Sequence, residues 1–491
     1  MPLRSTRNVR RFGLAHSVKW ILLIFFVYAC ILFVWKADKT ATLDDSSDRQ
    51  IIVPRPRRIE VNEKLDYDNK LRAQLLNSAS TNSTDSIAVL VFCATREMAI
   101  RNHLEQLLKQ RPDPDLFPVY VSQDSNTESV QRAVKEFVEK ERNVNYMQHE
   151  RKTPNNPTQR AAKNYFHIAQ HYKWALTEIF KKHSTVIITE DDLDIGPDFF
   201  NYFAATRPLL DRDPTIFCVS AWNDNGGNML VDRKRSDLLY RTDFFPGLGW
   251  MLKADVGREF LESWPDAYWD DWLRKPEIRK NRVCIRPEIT RTAHNNRLAG
   301  KGSSNGMYKS YLASIQLPDT PVDFSLVDTH RLEKSTYDAA FRQQLLDAKP
   351  LKVDQLLEDG DLSSEFAYRV TYKDPREFRK IADKFKLMND FRGGMTRTAY
   401  YGVVSFMAKG ARAHLVPYNL DLTRPIGNLT SETIYDIRWD LMNRFLDFQA
   451  TYCKPSKWAG KCDPKSPEMI AWFDKKRMRK RLDAWGEMIV I

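Results

Sequence analysis

With 491 residues, 42% of them hydrophobic and 12% aromatic, the chain has the apolar material for two or three folded domains, which sets disorder aside as the default reading. The net charge of +12 raises nucleic acid as a partner. Part of that charge sits in the N-terminal tail and part in residues 475–481 (KKRMRKR), a run that reads as a solvated helix face, and the topology below excludes nucleic acid as a partner.

Residues 20–35 (WILLIFFVYACILFVW) carry no charge, Gly or Pro. The run is slightly short of the roughly 20 residues that cross a typical bilayer, which suits thin membranes of the early secretory route. Trp20 and Trp35 fall where interfaces would lie. Arg4, Arg7, Arg10, Arg11 and Lys19 precede the run, and Asp44, Asp45 and Asp48 follow it, so the positive-inside rule expects a cytosolic tail (1–19), a single transmembrane signal anchor (20–36) and a lumenal body. A cleaved signal peptide is the competing reading. Residues 37–85 are polar, with Pro54 and Pro56, and read as a stem. Six cysteines are present, with Cys30 inside the apolar run. The other five are an odd number, so at least one is unpaired within the body. Cys453 and Cys462 enclose a loop short enough for a local disulfide. Asn82 and Asn428 head possible glycosylation sequons.

From Ser86 the pattern becomes α/β. Residues 88–93 (AVLVFC), 118–122 (PVYVS) and 185–189 (TVIIT) read as buried parallel strands. Between them Tyr165, Ile168, Ala169, Tyr172, Leu176 and Ile179 form one apolar helical stripe. Such alternation predicts an open sheet with ligands at the carboxyl ends of its strands. The expected catalytic domain spans 86–297. Its stretch 218–272 lacks clean periodicity and reads as site-building loops. A mobile glycine- and serine-rich loop and linker follow (298–324), then a second, smaller α/β domain (325–447) and a basic tail (448–491).

Glu190, Asp191 and Asp192 end the run TVIIT. Adjacent acids at a strand end repel one another, and a hard divalent cation that also holds a diphosphate is a natural solution. An acidic turn, with Asp194 or Asp198 capping the next helix, is the alternative. In residues 268–272 (YWDDW) two carboxylates lie between tryptophans, which suits a sugar site. An Asp against an apolar wall can have its pKa raised towards useful basicity. The alternative is a helix start with Trp in the core. Residues 244–250 (FFPGLGW) allow close backbone approach to a ligand or form a tight turn, and residues 220–226 (SAWNDNG) form a polar turn that suits a sugar. His171 at the edge of the helical stripe reads as structural on its own, and Arg96 lies where a nucleotide would.

The segments TEDDLDIGPDFFNYF, FCVSAWNDNG, LLYRTDFFPGLGW, YWDDWLRKPEIR and CIRPEITRT, in this order and spacing, resemble the N-acetylglucosaminyltransferase I family over about residues 86–445. The resemblance implies a GT-A type nucleotide-sugar domain and inversion at the anomeric carbon. GlcNAc would pass from UDP-GlcNAc to the alpha-1,3-arm mannose of a five-mannose N-glycan on glycoproteins, in beta-1,2 linkage, at the Golgi membrane. It implies that Asp192 binds Mn²⁺, that Asp191 contacts the nucleotide and Glu190 the donor sugar, and that Asp270 is the general base. Trp269 and Leu248 would line the donor pocket. Arg96, Asp124 and His171 match nucleotide contacts, and Ser304 a serine on a loop that closes over the donor. Cys218 and Cys284 match a family disulfide. The family's partner for Cys93 is replaced by Ser125, CATR carries one more residue than the family's CDR, and the segment 293–301 is altered. Two other readings stay open: a relative that adds GlcNAc to O-linked mannose, and a catalytically silent sugar-binding protein.

Overall fold

The computed structural model describes residues 86–299 and 308–491. The expected cytosolic tail, anchor and stem, and Ser304, lie outside them. Among the described residues no helix is long and apolar enough to cross a membrane. All of them belong to one compact unit.

The first half alternates strand and helix: β1 (Ile87–Cys93), α1 (Glu97–Gln110), β2 (Val119–Asp124), α2 (Glu128–Lys140), β3 (Val144–His149), α3 (Lys163–Ile179) and β4 (Thr185–Glu190). The cause is visible in β1. Ile87, Val89, Val91 and Cys93 face a core that takes in Ile100 and Leu104 of α1 and Val130 of α2. Ala88, Leu90 and Phe92 face the other core, with Ala169, Tyr172 and Leu176 of α3. Side chains that alternate between two buried faces need apolar residues at every position. The predicted strands and the helical stripe are all present, and the strands run parallel in the order β3-β2-β1-β4.

Beyond β4 the chain forms β5 (Leu193–Ile195), α4 (Phe199–Thr206), β6 (Ile216–Ser220), β7 (Leu239–Thr242), β8 (Trp250–Lys253), α5 (Ala254–Glu262), α6 (Trp269–Leu273), β9 (Val283–Pro287), β10 (Thr292–His294) and α7 (Lys309–Ser314). This corrects the loop reading of residues 218–272. The main sheet continues as β4-β8-β6-β9-β7 with mixed directions. Strands of four residues, separated by turns, leave no periodicity long enough to read. Cys218 on β6 and Cys284 on β9 are register partners and are joined by a disulfide, as the family resemblance implies. Hydrogen-bonded β5 and β10 form a separate pair beside the sheet.

The remaining elements are α8 (Lys334–Asp347), β11 (Lys349–Leu351), β12 (Tyr368–Tyr372), α9 (Pro375–Phe385), the hairpin β13 (Phe391–Arg392) and β14 (Met395–Thr396), then β15 (Val404–Ala408) and β16 (Ala411–Pro417). A second sheet has the order β11-β12-β16-β15. Val370, Phe406 and Leu415 of this sheet form a core of their own, while Tyr400, Val403 and Val416 join the core of β1 and α1.

The basic tail is folded. α10 (Arg438–Tyr452), α11 (Pro467–Lys475) and α12 (Arg479–Trp485) enclose a small core of Phe445, Phe448, Met469, Phe473 and Leu482. A second disulfide, Cys453–Cys462, closes the loop between α10 and α11. The charged run 475–481 is exposed as expected, although it spans a turn between two helices.

Candidate active site

β1 is flanked by β2 on one side and β4 on the other. The connections from β1 and β4 therefore leave in different directions and open a crevice at their carboxyl ends, the usual ligand position in such sheets. Arg96 follows β1 and the acids follow β4, with Phe92 and Glu190 in register and the Asp191 N–H donating to Phe92 O at 2.9 Å. The Arg96 guanidinium donates to Asp192 Oδ2 at 3.0 Å and also to Asp191. The sheet thus assembles three of the expected residues.

The acids differ in environment. Glu190 accepts from Tyr172 Oη at 2.9 Å, and burial, aided by the Asp192 charge, pushes its pKa upward. Asp191 is 2% exposed. Burial raises it to about 6 against the pull of Arg96, and its buried Oδ2 has no hydrogen-bond partner among the described residues. Asp192 is more open, with His294 Nε2 at 3.7 Å. Asp198 stands at the N-cap of α4, but neither its side chain nor that of Asp194 makes a capping hydrogen bond. Asp194 accepts from Asn102, Gln106 and Asn295. Asp198 pairs with Arg291, both side chains being fully buried.

These residues suit a hard divalent cation. Among the described residues no three His, Cys, Asp or Glu side chains form a closed metal cage. Ions of the Mg²⁺ and Mn²⁺ class need none: one or two carboxylates plus substrate phosphates and water complete their shell. Asp192 and Asp191, whose buried Oδ2 is unpartnered, both line a cavity of about 550 Å³.

Asp124 and His171 line the same cavity, as do Arg96, Glu190 and Leu248. Asp124 accepts from Arg151 at 2.6 and 2.9 Å and lies 2.9 Å from His149 Nδ1. Burial works against its charge, but the bonds from His149 and Arg151 outweigh it and hold the carboxyl at about 2. A carboxylate oxygen has two lone pairs, so capacity remains for a ligand N–H. His171 lies 2.7 Å from Ser122 Oγ through Nε2. Burial lowers it to about 3 and keeps it neutral. Ile168 on the same helix is 38% exposed despite its place in the apolar stripe, because it faces this cavity.

A second cavity, of about 290 Å³, shares Ile168, Tyr172, Glu190, Leu248 and Leu312 with the first. Trp269 and Asp270 line it. The backbone at its wall is unusual, with positive φ at Gly247, Leu248 and Gly249. A Cβ at Gly249 would lie 2.7 Å from the Thr292 side chain, so this glycine serves packing against β10 rather than ligand approach. Thr292 Oγ1 donates to Leu248 O at 2.6 Å and fixes the loop. Trp269 stacks on Tyr172, with centroids 4.3 Å apart. A short helix starts here with Trp269 in the core, as the alternative reading of residues 268–272 expects, and Asp270 lines the cavity.

The structure reverses one expectation for Asp270. Its side chain is 42% exposed but sits in a recess, where Arg274 Nη1 donates to it at 3.0 Å. Burial would raise its pKa, but Arg274, with help from Arg397, outweighs burial and holds it below the ordinary carboxylate value. The wall around it is cationic as well as apolar. Arg274 also donates to Asp271 and packs 4.5 Å from the Phe244 ring centroid. Arg397 pairs with Asp224 and Asp390 and lies 5.0 Å from that ring. The polar turn 220–226 contributes Trp222 and Asp224 to the cavity, whereas Asn223 and Asn225 are spent on protein partners.

Sequence reasoning did not single out Arg274, Arg397, Arg151 or His294. Arg274 lies in a quoted motif and could have been found from its spacing to Asp270 on one helix. Asp224 sits in the turn 220–226 already read as suiting a sugar, whereas Arg397, remote from it in the chain, left no local signal. Cys93 is free and buried. At Ser125, where the resemblance implies a cysteine, Oγ donates to Ala94 O at 3.2 Å and ties the loops after β1 and β2.

Among solved structures, a mannosyltransferase from Pyrobaculum calidifontis in complex with GDP-Man and Mn²⁺ is 14% identical, with a TM-score of 0.30, over 66% of this chain and 82% of that one. TarS of S. aureus in complex with UDP is also 14% identical, with a TM-score of 0.30, over 41% of this chain and 58% of that one. Scores this low carry no inference. The sequence comparisons are far stronger. An Arabidopsis thaliana protein named alpha-1,3-mannosyl-glycoprotein 2-beta-N-acetylglucosaminyltransferase is 40% identical over 331 residues, 66% of this chain and 72% of that protein. The GNT-I family model matches residues 60–423, a span that holds every residue of the two joined cavities. The chain belongs to the GNT-I family.

Proposed function

We propose that this chain is an inverting alpha-1,3-mannosyl-glycoprotein 2-beta-N-acetylglucosaminyltransferase of GT-A type. It transfers GlcNAc from UDP-GlcNAc to the 2-hydroxyl of the alpha-1,3-arm mannose of a five-mannose N-glycan, the step that opens hybrid and complex glycans. Family membership and the named relative support the reading. The observation that carries it is the pair of joined cavities: one lined by Arg96, Asp124 and the acids, the other by Asp270, with Glu190 and Leu248 in the wall between.

The first cavity takes UDP. Asp124 and His171 face the uridine, and Arg96 holds Asp191 and Asp192 in place. Asp192 would hold the divalent cation, read as Mn²⁺, which when bound supplies positive charge for the departing diphosphate. GlcNAc lies across the shared wall, against Leu248, Trp269 and Glu190. Asp270 accepts the proton of the mannose 2-hydroxyl. Its oxygen bonds to the anomeric carbon from the face opposite UDP, the bond to the diphosphate oxygen breaks with its electron pair leaving on UDP, and the configuration inverts. A carboxylate of low pKa is a weak base towards a ground-state hydroxyl. It takes the proton late, when the new bond has made that hydroxyl acidic.

The arginine-rich 1–19 before the uncharged run 20–35 supports a single-pass type II anchor in the Golgi membrane, with a lumenal body. Two disulfides in the body suit an oxidising compartment.

Asp270→Asn tests the assignment. It is expected to retain UDP-GlcNAc binding and to lose about two to four orders of magnitude in kcat. A variant with wild-type kcat would remove Asp270 from the chemistry.

A further inference from the structure

The cavity at Asp270 has two ends. One borders the nucleotide side, with Glu190 and Leu248 in the shared wall. At the other, Tyr308 and Tyr311 are shared with a groove of about 900 Å³ that has no wall in common with the nucleotide cavity. The three spaces therefore lie in series, with Asp270 in the middle one. Asp271, the neighbour of Asp270 on α6, lies in the wall of the groove.

The groove's composition suits a polyhydroxylated ligand. Tyr308, Tyr311 and Trp485 line the groove together with Asp271, Asp440 and Asp447. Aromatic faces pack against sugar CH groups, and fixed carboxylates accept hydroxyl protons. The acids are held by the protein. Asp271 accepts from Arg274 and Arg392, Asp440 from the Gly393 and Gly394 N–H groups, and Asp447 from Arg379. Such pre-organisation lowers the cost of ordering on binding.

The far wall comes from α10 and α12, beyond the family match, which ends at residue 423. Phe448 and Tyr452 meet the Trp485 ring at steep angles, and Arg444 ties α10 to Ala484 O at 2.7 Å. We infer that the C-terminal helical extension forms, with Asp271 and Tyr311, an acceptor subsite that binds the mannose branches not undergoing reaction. This rests on the glycosyltransferase reading. A branched acceptor with one mannose at Asp270 must pass its other branches out of the site. The nucleotide side is taken by the donor, which leaves the groove.

The test is steady-state kinetics of the lumenal enzyme on a five-mannose N-glycan with UDP-GlcNAc. Ala450 lines the groove from the exposed side of α10. Ala450→Arg near this helix C-terminus obstructs the groove while suiting the helix. The expected result is a KM for the glycan raised about tenfold, with the KM for UDP-GlcNAc and kcat held within about twofold. Trp485→Ala is expected to act in the same direction. Because it loosens an aromatic cluster, amide exchange is measured as well: in the wild type, α10 and α12 gain protection when the glycan is added with UDP. An unchanged glycan KM in Ala450→Arg, or no glycan-dependent protection, overturns the subsite while leaving the transferase reading intact. Absence of transfer by the wild type overturns both.

Discussion

Arg274 governs the protonation of Asp270. Its charge holds the Asp270 pKa below the ordinary carboxylate value, so the ionised form required of a base persists well into acid. Removing that charge lets burial dominate and raises the pKa. Arg274→Gln is therefore expected to move the acid limb of kcat/KM to higher pH, and Arg274→Lys to move it less. A pH profile on each variant checks this, and an unmoved limb in Arg274→Gln contradicts it. Asp124 offers a second titration, on stability. Its folded pKa is about 2 against an ordinary 3.8, a lowered value. Its contribution is present above about pH 4 and is lost as pH falls towards 2. The size is on the order of 2 kcal/mol. Denaturant unfolding of Asp124→Asn should show a flatter loss of stability across that window than the wild type.

At the scale of elements, β6 and β9 are held by both their ladder and the Cys218–Cys284 bridge. Between these cysteines lie Leu248, Trp269 and Asp270. Replacing both with serine is expected to destabilise the body by about 2–5 kcal/mol, read as a lower denaturant midpoint. An unchanged midpoint would mean that the ladder alone fixes these strands. Long apolar runs such as 87–93 and 185–190 were legible in the sequence because both faces of those strands are buried. β7 and β8 were not, since strands of four residues between glycine- and proline-bearing turns lack a measurable period. The acids after β4 and the Trp269–Asp270 pair were legible because each motif is contiguous. The cationic shell that reverses the expected pKa of Asp270 was not. Its Arg397 reaches the site from the turn after β14, whose place depends on the whole fold. The tail read as a basic extension, with one helix face and a local disulfide, and its core was not legible because Phe448, Met469 and Phe473 are spread through a basic composition.

At the scale of the molecule, three spaces in series order the reaction: nucleotide, reacting pair, outer acceptor. Asp191 and Asp192 border the first, and the second lies between the sheet, α6 and the hairpin region. The central claim is that this arrangement transfers GlcNAc to a mannose 2-hydroxyl. The most direct measurement incubates the lumenal fragment with UDP-GlcNAc, Mn²⁺ and a five-mannose N-glycan, with and without EDTA. Product mass is followed first, then linkage by NMR. The account predicts one added N-acetylhexosamine, beta-1,2-linked to the alpha-1,3-arm mannose, and its loss with EDTA. A folded protein that binds UDP yet leaves the glycan unchanged, or that links the sugar elsewhere, would contradict it.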